Sequence, residues 1–162
     1  MVDFLVRLPR RLWQRDGGNT MIEFALALPV LSIMLVGMLD LGRYGLNKSA
    51  MLQGAREGAQ FGALAPNSPN LTATDLTNVN TTAQGATGLT GVTASSSLFC
   101  ECTSGTSVSC ISTCTGGLKH YITVTTTRPF TSVVGTTGLN FGSMGSWVAP
   151  TSISASVTMI VQ

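Results

Sequence analysis

The sixteen residues FALALPVLSIMLVGML, numbered 24–39, contain no charged side chain. A helix of this length spans roughly 24 Å, slightly less than the ~30 Å hydrocarbon core of a bilayer. Three more residues at each end would reach the full thickness and would place Glu23 and Asp40 near the two interfaces. Little of the remaining chain is apolar enough to bury such a helix inside a soluble core. The sequence therefore predicts a transmembrane segment at about residues 21–42.

The charges around this run predict its orientation. Residues 1–18 form a leader with four arginines and two aspartates. Since Lys and Arg mark the cytoplasmic side of a membrane, we expect the leader to stay in the cytoplasm and residues 66–162 to be exported. A secretory cleavage site would have small residues after the apolar run. The chain instead continues as Asp-Leu-Gly-Arg-Tyr at residues 40–44, so no such site stands out.

Residues 19–65 are predicted to form one long helix, since glycines precede this stretch and prolines follow it. Pro29 lies inside it and should kink or loosen it, because proline lacks a backbone donor and clashes with the preceding turn. Gly54, Gly58 and Gly62 recur every four residues, and such a row lets another element approach closely. That element is either the chain's own C-terminal sheet or the helix of another subunit.

The exported part is rich in Thr, Ser and Gly and is predicted to be a β domain. Thr72-x-x-Asp75 is typical of the cap of a short second helix, which we expect to end near Gly85. Alternating β-branched residues at 120–128 and at 152–161 predict strands. In the second strand, alternate apolar side chains share one face, which suits the outer half of the long helix.

Two segments of the exported part show a different pattern. Residues 66–73 and 85–97 have a low-complexity composition that fits a disordered linker. The elements together indicate an α+β fold, in which a long helix packs on a small antiparallel sheet.

Four cysteines lie in the exported part, at Cys100, Cys102, Cys110 and Cys114. An even count in an oxidising compartment indicates two disulfides. A bond between Cys100 and Cys102 is disfavoured because they are two residues apart. The nested pairing, Cys100 with Cys114 and Cys102 with Cys110, matches a hairpin around residues 103–109 and is the one we favour; the crossed pairing is the alternative.

A zinc site is the rival explanation for the cysteines, with four thiolates or with His120 as a ligand. The C-x-C start departs from the usual zinc spacing, and export opposes free thiolates. We therefore predict no metal and no cofactor, and we expect His120 to lie at a strand end without a special role.

Composition argues against other classes of function. Only 10% of the residues are charged, against about 25% in a typical soluble domain, which is a poor fit to a cytoplasmic enzyme. A formal net charge of +2 gives no nucleic-acid-binding face. The chain has no nucleophile elbow, phosphate-binding loop, zinc-protease motif or dinucleotide fingerprint. We expect no catalytic residues.

Three blocks of the N-terminal part carry a family resemblance. Gly-Asn-Thr-Met-Ile-Glu-Phe at residues 18–24 resembles a type IV prepilin processing site. Together with residues 25–31, 39–44 and 54–59, it resembles the TadE-like family of tight-adherence (Flp) pilus assembly proteins. The agreement is looser in the C-terminal part, at residues 121–124 and 128–130.

The resemblance implies a pilin-like fold and a role as a minor pilin or pseudopilin, in the bacterial inner membrane and in the extracellular pilus. A prepilin peptidase would cut between Gly18 and Asn19, leaving Glu23 at the fifth mature position. Its other partners would be pilins and pseudopilins that meet its N-terminal helix. A lone carboxylate just inside a membrane is costly, so we expect Glu23 to pair with an α-amino group during assembly.

Other charged residues of the helix give weaker expectations. Asp40 and Arg43 are three residues apart and can form an ion pair. Arg56 and Glu57 face different directions and are candidates for contacts with other subunits or with the sheet. The alternative function is an uncleaved single-span envelope protein whose disulfide-bonded periplasmic domain binds a partner.

Overall fold

A computed structural model describes residues 19–133, 139–140, 143, 145–148 and 150–161. The expectations for the leader and for Gly18 lie outside the described residues. The chain divides into two compact units, Met1–Leu39 and Asp40–Gln162.

Helix α1 comprises Asn19–Ala63, so the predicted long helix is confirmed and ends two residues early. Pro29 lies inside the helix without ending it. Among the described residues, Thr20–Ala63 is the one helix long and apolar enough to cross a membrane, and its most apolar stretch is not buried inside the chain.

Helix α2, Ala73–Ala86, begins with the predicted capping box, which confirms the second helix. The Asp75 backbone N–H donates to Thr72 Oγ1 over 3.3 Å, and the Thr72 N–H donates to Asp75 Oδ2 over 2.8 Å. The Asn67 amide also donates to Asp75 Oδ2. The Thr72 hydroxyl, the Asn67 amide and the Thr72 N–H together hold the pKa of Asp75 below its ordinary value, because they stabilise the charged carboxylate.

In the part of the chain that the structure describes, six strands follow α2: β1 Thr93–Cys102, β2 Ser107–Val108, β3 Leu118–Pro129, β4 Leu139–Asn140, β5 Ser146–Trp147 and β6 Ser152–Val161. The main antiparallel sheet has the order β2-β1-β3-β6, and β4 pairs with β5 separately. The two predicted strands are confirmed as β3 and β6.

Strand β1 overlaps a segment expected to be a linker, and for residues 93–97 that expectation was wrong. The apolar alternation is weak here, because the inward positions Ala94 and Ser96 are small. The strand forms through its register with β3, in which Ser96 lies opposite Val124 and Leu98 opposite Ile122. Pairing with β3 thus determines the secondary structure of a segment whose local sequence pattern is ambiguous.

The core lies between one face of the main sheet and the helices α1 and α2, which confirms the predicted α+β class. One cluster joins Ala55 and Ala59 of α1 to Val79 of α2 and to Ile122 and Val124 of β3. A second cluster joins α1 to the end of β3 and to β6; its buried members are Met51, Phe130, Ile153 and Ala155. The buried Thr126 hydroxyl donates to the Met51 backbone carbonyl over 3.0 Å.

The glycine row of α1 allows this helix to lie very close to α2. A Cβ added at Gly54 would lie 2.5 Å from the Ala83 backbone oxygen, and one at Gly58 would lie 2.7 Å from the Ala83 Cβ. A Cβ at Gly62 would lie 2.6 Å from Ile122 Cδ1 in the sheet. The row is therefore occupied by the chain's own helix α2 and sheet. In contrast, a Cβ added at Gly45 would have no described atom within 4 Å apart from the nearby backbone of its own helix.

We predict that Gly54→Ala lowers the free energy of unfolding by about 1–3 kcal/mol, because the methyl group meets backbone that cannot shift without separating the helices. The matched variant Gly45→Ala should be neutral or stabilise the helix by up to about 1 kcal/mol. Thermal unfolding of both proteins in detergent measures the difference. Equal stability of the two variants would contradict the close contact.

Candidate assembly surface and supporting contacts of helix α1

The first part of α1 presents a continuous set of exposed apolar side chains, which we call the exposed apolar stretch. A surface of this kind is typical of contact with a membrane or with other protein chains. Apolar side chains recur too densely along it to leave a polar face. Its large members are Met21, Ile22, Phe24, Leu26, Leu28, Val30, Leu31, Ile33, Met34, Leu35, Met38 and Leu39, each at least 46% exposed.

Glu23 is exposed within this stretch. Among the residues whose side chains the structure describes, no partner for its carboxylate is found. Asn19 begins the helix four residues earlier, about one helical turn away. Removing water from an unpaired carboxylate among apolar side chains costs free energy. In a membrane or between helices, a partner that pairs with Glu23 would therefore be stabilising.

Asp40 lies near the middle of α1 and forms a cluster that we call the Asp40 clasp, made of Asp40, Arg43, Ser132 and Val133. Asp40 is 6% exposed. The Ser132 hydroxyl donates to Asp40 Oδ2, and the Val133 backbone N–H lies 2.9 and 3.1 Å from the two carboxylate oxygens. Arg43 Nη1 lies 3.6 Å from Asp40 Oδ1. Both a positive charge and hydrogen-bond donors therefore compensate the burial of this carboxylate.

The clasp continues along one face of α1 through aromatic and polar contacts. Tyr44 and Phe130 form an edge-to-face pair with ring centroids 5.6 Å apart, and the Arg43 guanidinium lies 6.0 Å from the Phe130 ring centroid. Arg128 Nη1 donates to Asn47 Oδ1 over 2.7 Å. These contacts hold the segment after β3 against successive turns of α1.

The sequence interpretation placed Asp40 beside Arg43 but missed its contacts with Ser132 and Val133. Residues 40 and 132 are 92 positions apart, and Ser132 follows a strand end without any local pattern. The one signal was the Arg-Pro-Phe block at residues 128–130, which ends two residues before Ser132.

Arg56 and Glu57 are both exposed on α1. The Gln53 side-chain amide donates to Glu57 Oε1 over 3.3 Å within the same helix. Because neither residue is buried against the sheet, contact with another subunit remains the hypothesis for these two.

The cysteines form two crossed disulfides, Cys100–Cys110 and Cys102–Cys114. The nested pairing that we favoured was therefore wrong. The hairpin pairs residues that are closer in sequence than the nested pairing requires, since Cys100 lies opposite Val108. Cys110 then follows β2 close to Cys100 instead of Cys102.

The segment after Cys110 turns back toward the end of β1. Thr103 Oγ1 donates to the Gly116 carbonyl over 2.8 Å, and the Thr103 N–H donates to the Gly117 carbonyl. This return brings Cys114 to Cys102, which completes the crossed pattern.

His120 lies beside the first disulfide, a contact that the sequence interpretation missed. The β1–β3 register places His120 directly opposite Cys100, and His120 Nδ1 lies 3.3 Å from Cys100 Sγ. Among the described residues, the ligand atoms of Cys100, Cys110 and His120 all lie within 4.8 Å of one another. While the disulfide is closed, its sulfurs offer no thiolate to a metal ion.

We predict that Asp40→Ala lowers the free energy of unfolding by about 1.5–3 kcal/mol, because it leaves the buried Ser132 hydroxyl and the Val133 N–H without their charged acceptor. Glu57→Ala removes an exposed carboxylate from the same helix and should change stability by less than about 0.5 kcal/mol. Thermal unfolding and limited proteolysis near residue 133 measure the effect. An Asp40→Ala protein as stable and protease-resistant as Glu57→Ala would refute a stabilising clasp.

One family model, described as TadE-like protein, matches residues 18–60. No curated protein and no solved structure matches the chain. The matched range contains the exposed apolar stretch, Glu23, and the α1 residues of the Asp40 clasp. The family resemblance predicted from the sequence is confirmed over this range, and residues 18–60 are accordingly a TadE-like segment.

Proposed function

We propose that this chain is a pilin-like structural protein, a minor pilin or pseudopilin, of a tight-adherence (Flp) pilus system. The observation that carries the proposal is the exposed apolar stretch of α1, which lies inside the TadE-like segment. Among the described residues these side chains stay largely exposed, and we propose that a membrane surrounds them before assembly and other helices afterwards. The family resemblance suggests involvement in a tight-adherence pilus system, and helix-to-helix assembly is the role that we propose for this stretch.

The proposed topology places the leader in the cytoplasm, α1 across the inner membrane and the remaining domain in the periplasm. The arginines of the leader support this orientation. Two disulfides in the remaining domain suit an oxidising compartment. The domain also has few charged side chains and many Thr and Ser residues, which fits an exported surface.

The two parts of helix α1 differ in what their side chains contact. In the later turns, the side chains of Met51, Ala55 and Ala59 are fully buried in the chain's own core. The glycine row is likewise occupied by α2 and the sheet. The helix surface left for other subunits is therefore the exposed apolar stretch, with Arg56 and Glu57 as polar contacts further along.

Processing by a prepilin peptidase would create the partner that Glu23 lacks. A cut after Gly18 leaves an α-amino group on Asn19, which is largely protonated at neutral pH because its unperturbed pKa is near 8. This group, from the same chain or from a neighbouring subunit, would pair with the Glu23 carboxylate. Pairing between subunits would also fix the axial register of adjacent helices.

We predict that the mature protein begins at Asn19 and that Gly18→Leu blocks cleavage, because a large side chain cannot enter a subsite shaped for glycine. Gly17→Leu, one residue further from the cut, is the matched control and should still be processed. Peptide sequencing of the N-terminus of the membrane-extracted protein measures both. If Met1 or Val2 is the sole N-terminus in cells that contain the peptidase, the uncleaved envelope protein is the correct function instead.

We predict that Glu23→Ala is inserted and cut but fails to support pilus formation, because the new α-amino group loses its counter-charge. Glu23→Asp should be intermediate, since its shorter side chain reaches less far. Glu101→Ala removes a carboxylate from β1 and should leave pili normal. Processing is followed by gel shift, and pili are counted after shearing. Normal pili with Glu23→Ala at an unchanged protein level would show that this carboxylate is not an assembly contact.

A further inference from the structure

Three potential metal ligands meet at one end of the main sheet. Cys100 is fully buried on β1, His120 lies opposite it on β3, and Cys110 follows β2. The sheet register places Cys100 opposite His120. The hairpin places Val108 opposite Cys100, so Cys110 follows two residues after a position that is paired with Cys100.

We propose that Cys100, Cys110 and His120 form a zinc site in the reduced chain, and that closing the Cys100–Cys110 disulfide releases the ion. The proposal does not depend on pilus assembly or on prepilin processing. In the reduced chain His120 would be a zinc ligand. Beside the closed disulfide it has no ligand role.

The sulfur–nitrogen distance is close to the one that a zinc ion requires, whereas the two sulfurs are bonded to each other and must separate. Zn–S bonds of ~2.3 Å and Zn–N bonds of ~2.05 Å at tetrahedral angles put a sulfur and a nitrogen roughly 3.6 Å apart and two sulfurs roughly 3.8 Å apart. The distance between Cys100 Sγ and His120 Nδ1 is already 3.3 Å. All three ligand atoms lie within 4.8 Å of one another. Once the S–S bond is broken, side-chain rotation that separates the two sulfurs is enough to admit the ion.

One of the three proposed ligands, His120, also lines a cleft. The cleft, of about 430 Å³, lies at this end of the sheet, and its lining is Pro69, Leu118, Lys119, His120, Ile160 and Val161. Three protein ligands leave the fourth zinc position for water from this cleft. Cys100 itself is fully buried, so water does not compete from its side of the site.

The exchange of zinc needs a dithiol reductant to open the disulfide and a disulfide oxidant to close it. A dithiol reductant gives two electrons and two protons to the Cys100–Cys110 disulfide and becomes a disulfide itself. Zn²⁺ then displaces two protons from the two thiols and accepts the neutral His120 nitrogen as its third ligand. Reoxidation by a disulfide oxidant reverses both steps and returns the ion to solution. The site is thus occupied before oxidation and empty after it.

Zinc binding to the purified full chain in detergent tests the proposal. The Cys102→Ser/Cys114→Ser background retains the three proposed ligands and removes the other two thiols. After reduction by a phosphine, titration against a chromogenic zinc chelator should give one ion per chain. The same protein with its disulfide closed should bind none.

His120→Ala in this background should weaken zinc binding at least tenfold, because one of three ligands is lost. Thr123→Ala, a substitution on β3 outside the cleft lining, should bind zinc as tightly as the background. Circular dichroism establishes that each reduced variant is folded. A folded reduced protein that binds no zinc, or unchanged affinity in His120→Ala, would overturn the proposal.

A measurement on the unsubstituted chain covers the case in which the double variant fails to fold. Zinc added to the reduced protein should slow alkylation of Cys100 and Cys110, but not of Cys102 and Cys114, as read by mass spectrometry of peptides. Equal protection of all four cysteines would indicate a four-thiolate site, and no protection would indicate no site. Either result would contradict the proposed ligand set.

Discussion

The close contact between α1 and α2 is the constraint on which the α+β domain that follows Leu39 depends. It requires glycine where Gly54 and Gly58 meet Ala83, because a Cβ at either position would overlap that residue. Glycine weakens an isolated helix by up to about 1 kcal/mol per residue. The later turns of α1 are therefore stable as a helix because α2 and the sheet pack against them. This contact commits that part of the helix to its own domain, and the proposed function assigns the exposed apolar stretch to other subunits.

The remaining contacts of the domain strengthen the same arrangement. The Asp40 clasp attaches the segment after β3 to one face of α1, through a buried carboxylate with several partners. The capping box positions the start of α2. The crossed disulfides close the hairpin at the far end of β1. A domain with so few charged side chains thus uses specific polar contacts and covalent bonds at the ends of its elements.

Features with strong local signals could be predicted from the sequence. The long helix, the Thr72–Asp75 cap and strand β6 each carry their pattern within a short window. The family resemblance also depends on contiguous blocks. Strand β1 was missed because its inward residues are small, so the alternation that marks a strand is faint.

Features that depend on distant pairing could not be predicted in the same way. The disulfide pattern follows from a hairpin register that places Cys100 opposite Val108. The spacing of the cysteines alone favoured the nested pairing. The Ser132 hydroxyl, which donates to Asp40, is 92 residues away from it in the sequence. The spacing of the glycine row predicted a close approach but could not distinguish α2 from a second subunit, because both would accept the same row of small residues.

The central claim is that the exposed apolar stretch of α1 contacts other subunits. Photo-cross-linking in cells tests it most directly, with p-benzoylphenylalanine in place of Leu31 and, as a reference, in place of Thr158 on β6. The account predicts cross-links from position 31 to other pilus subunits, which disappear when the remaining pilus components are deleted. Cross-links to lipid alone at position 31, with pili present, would contradict it.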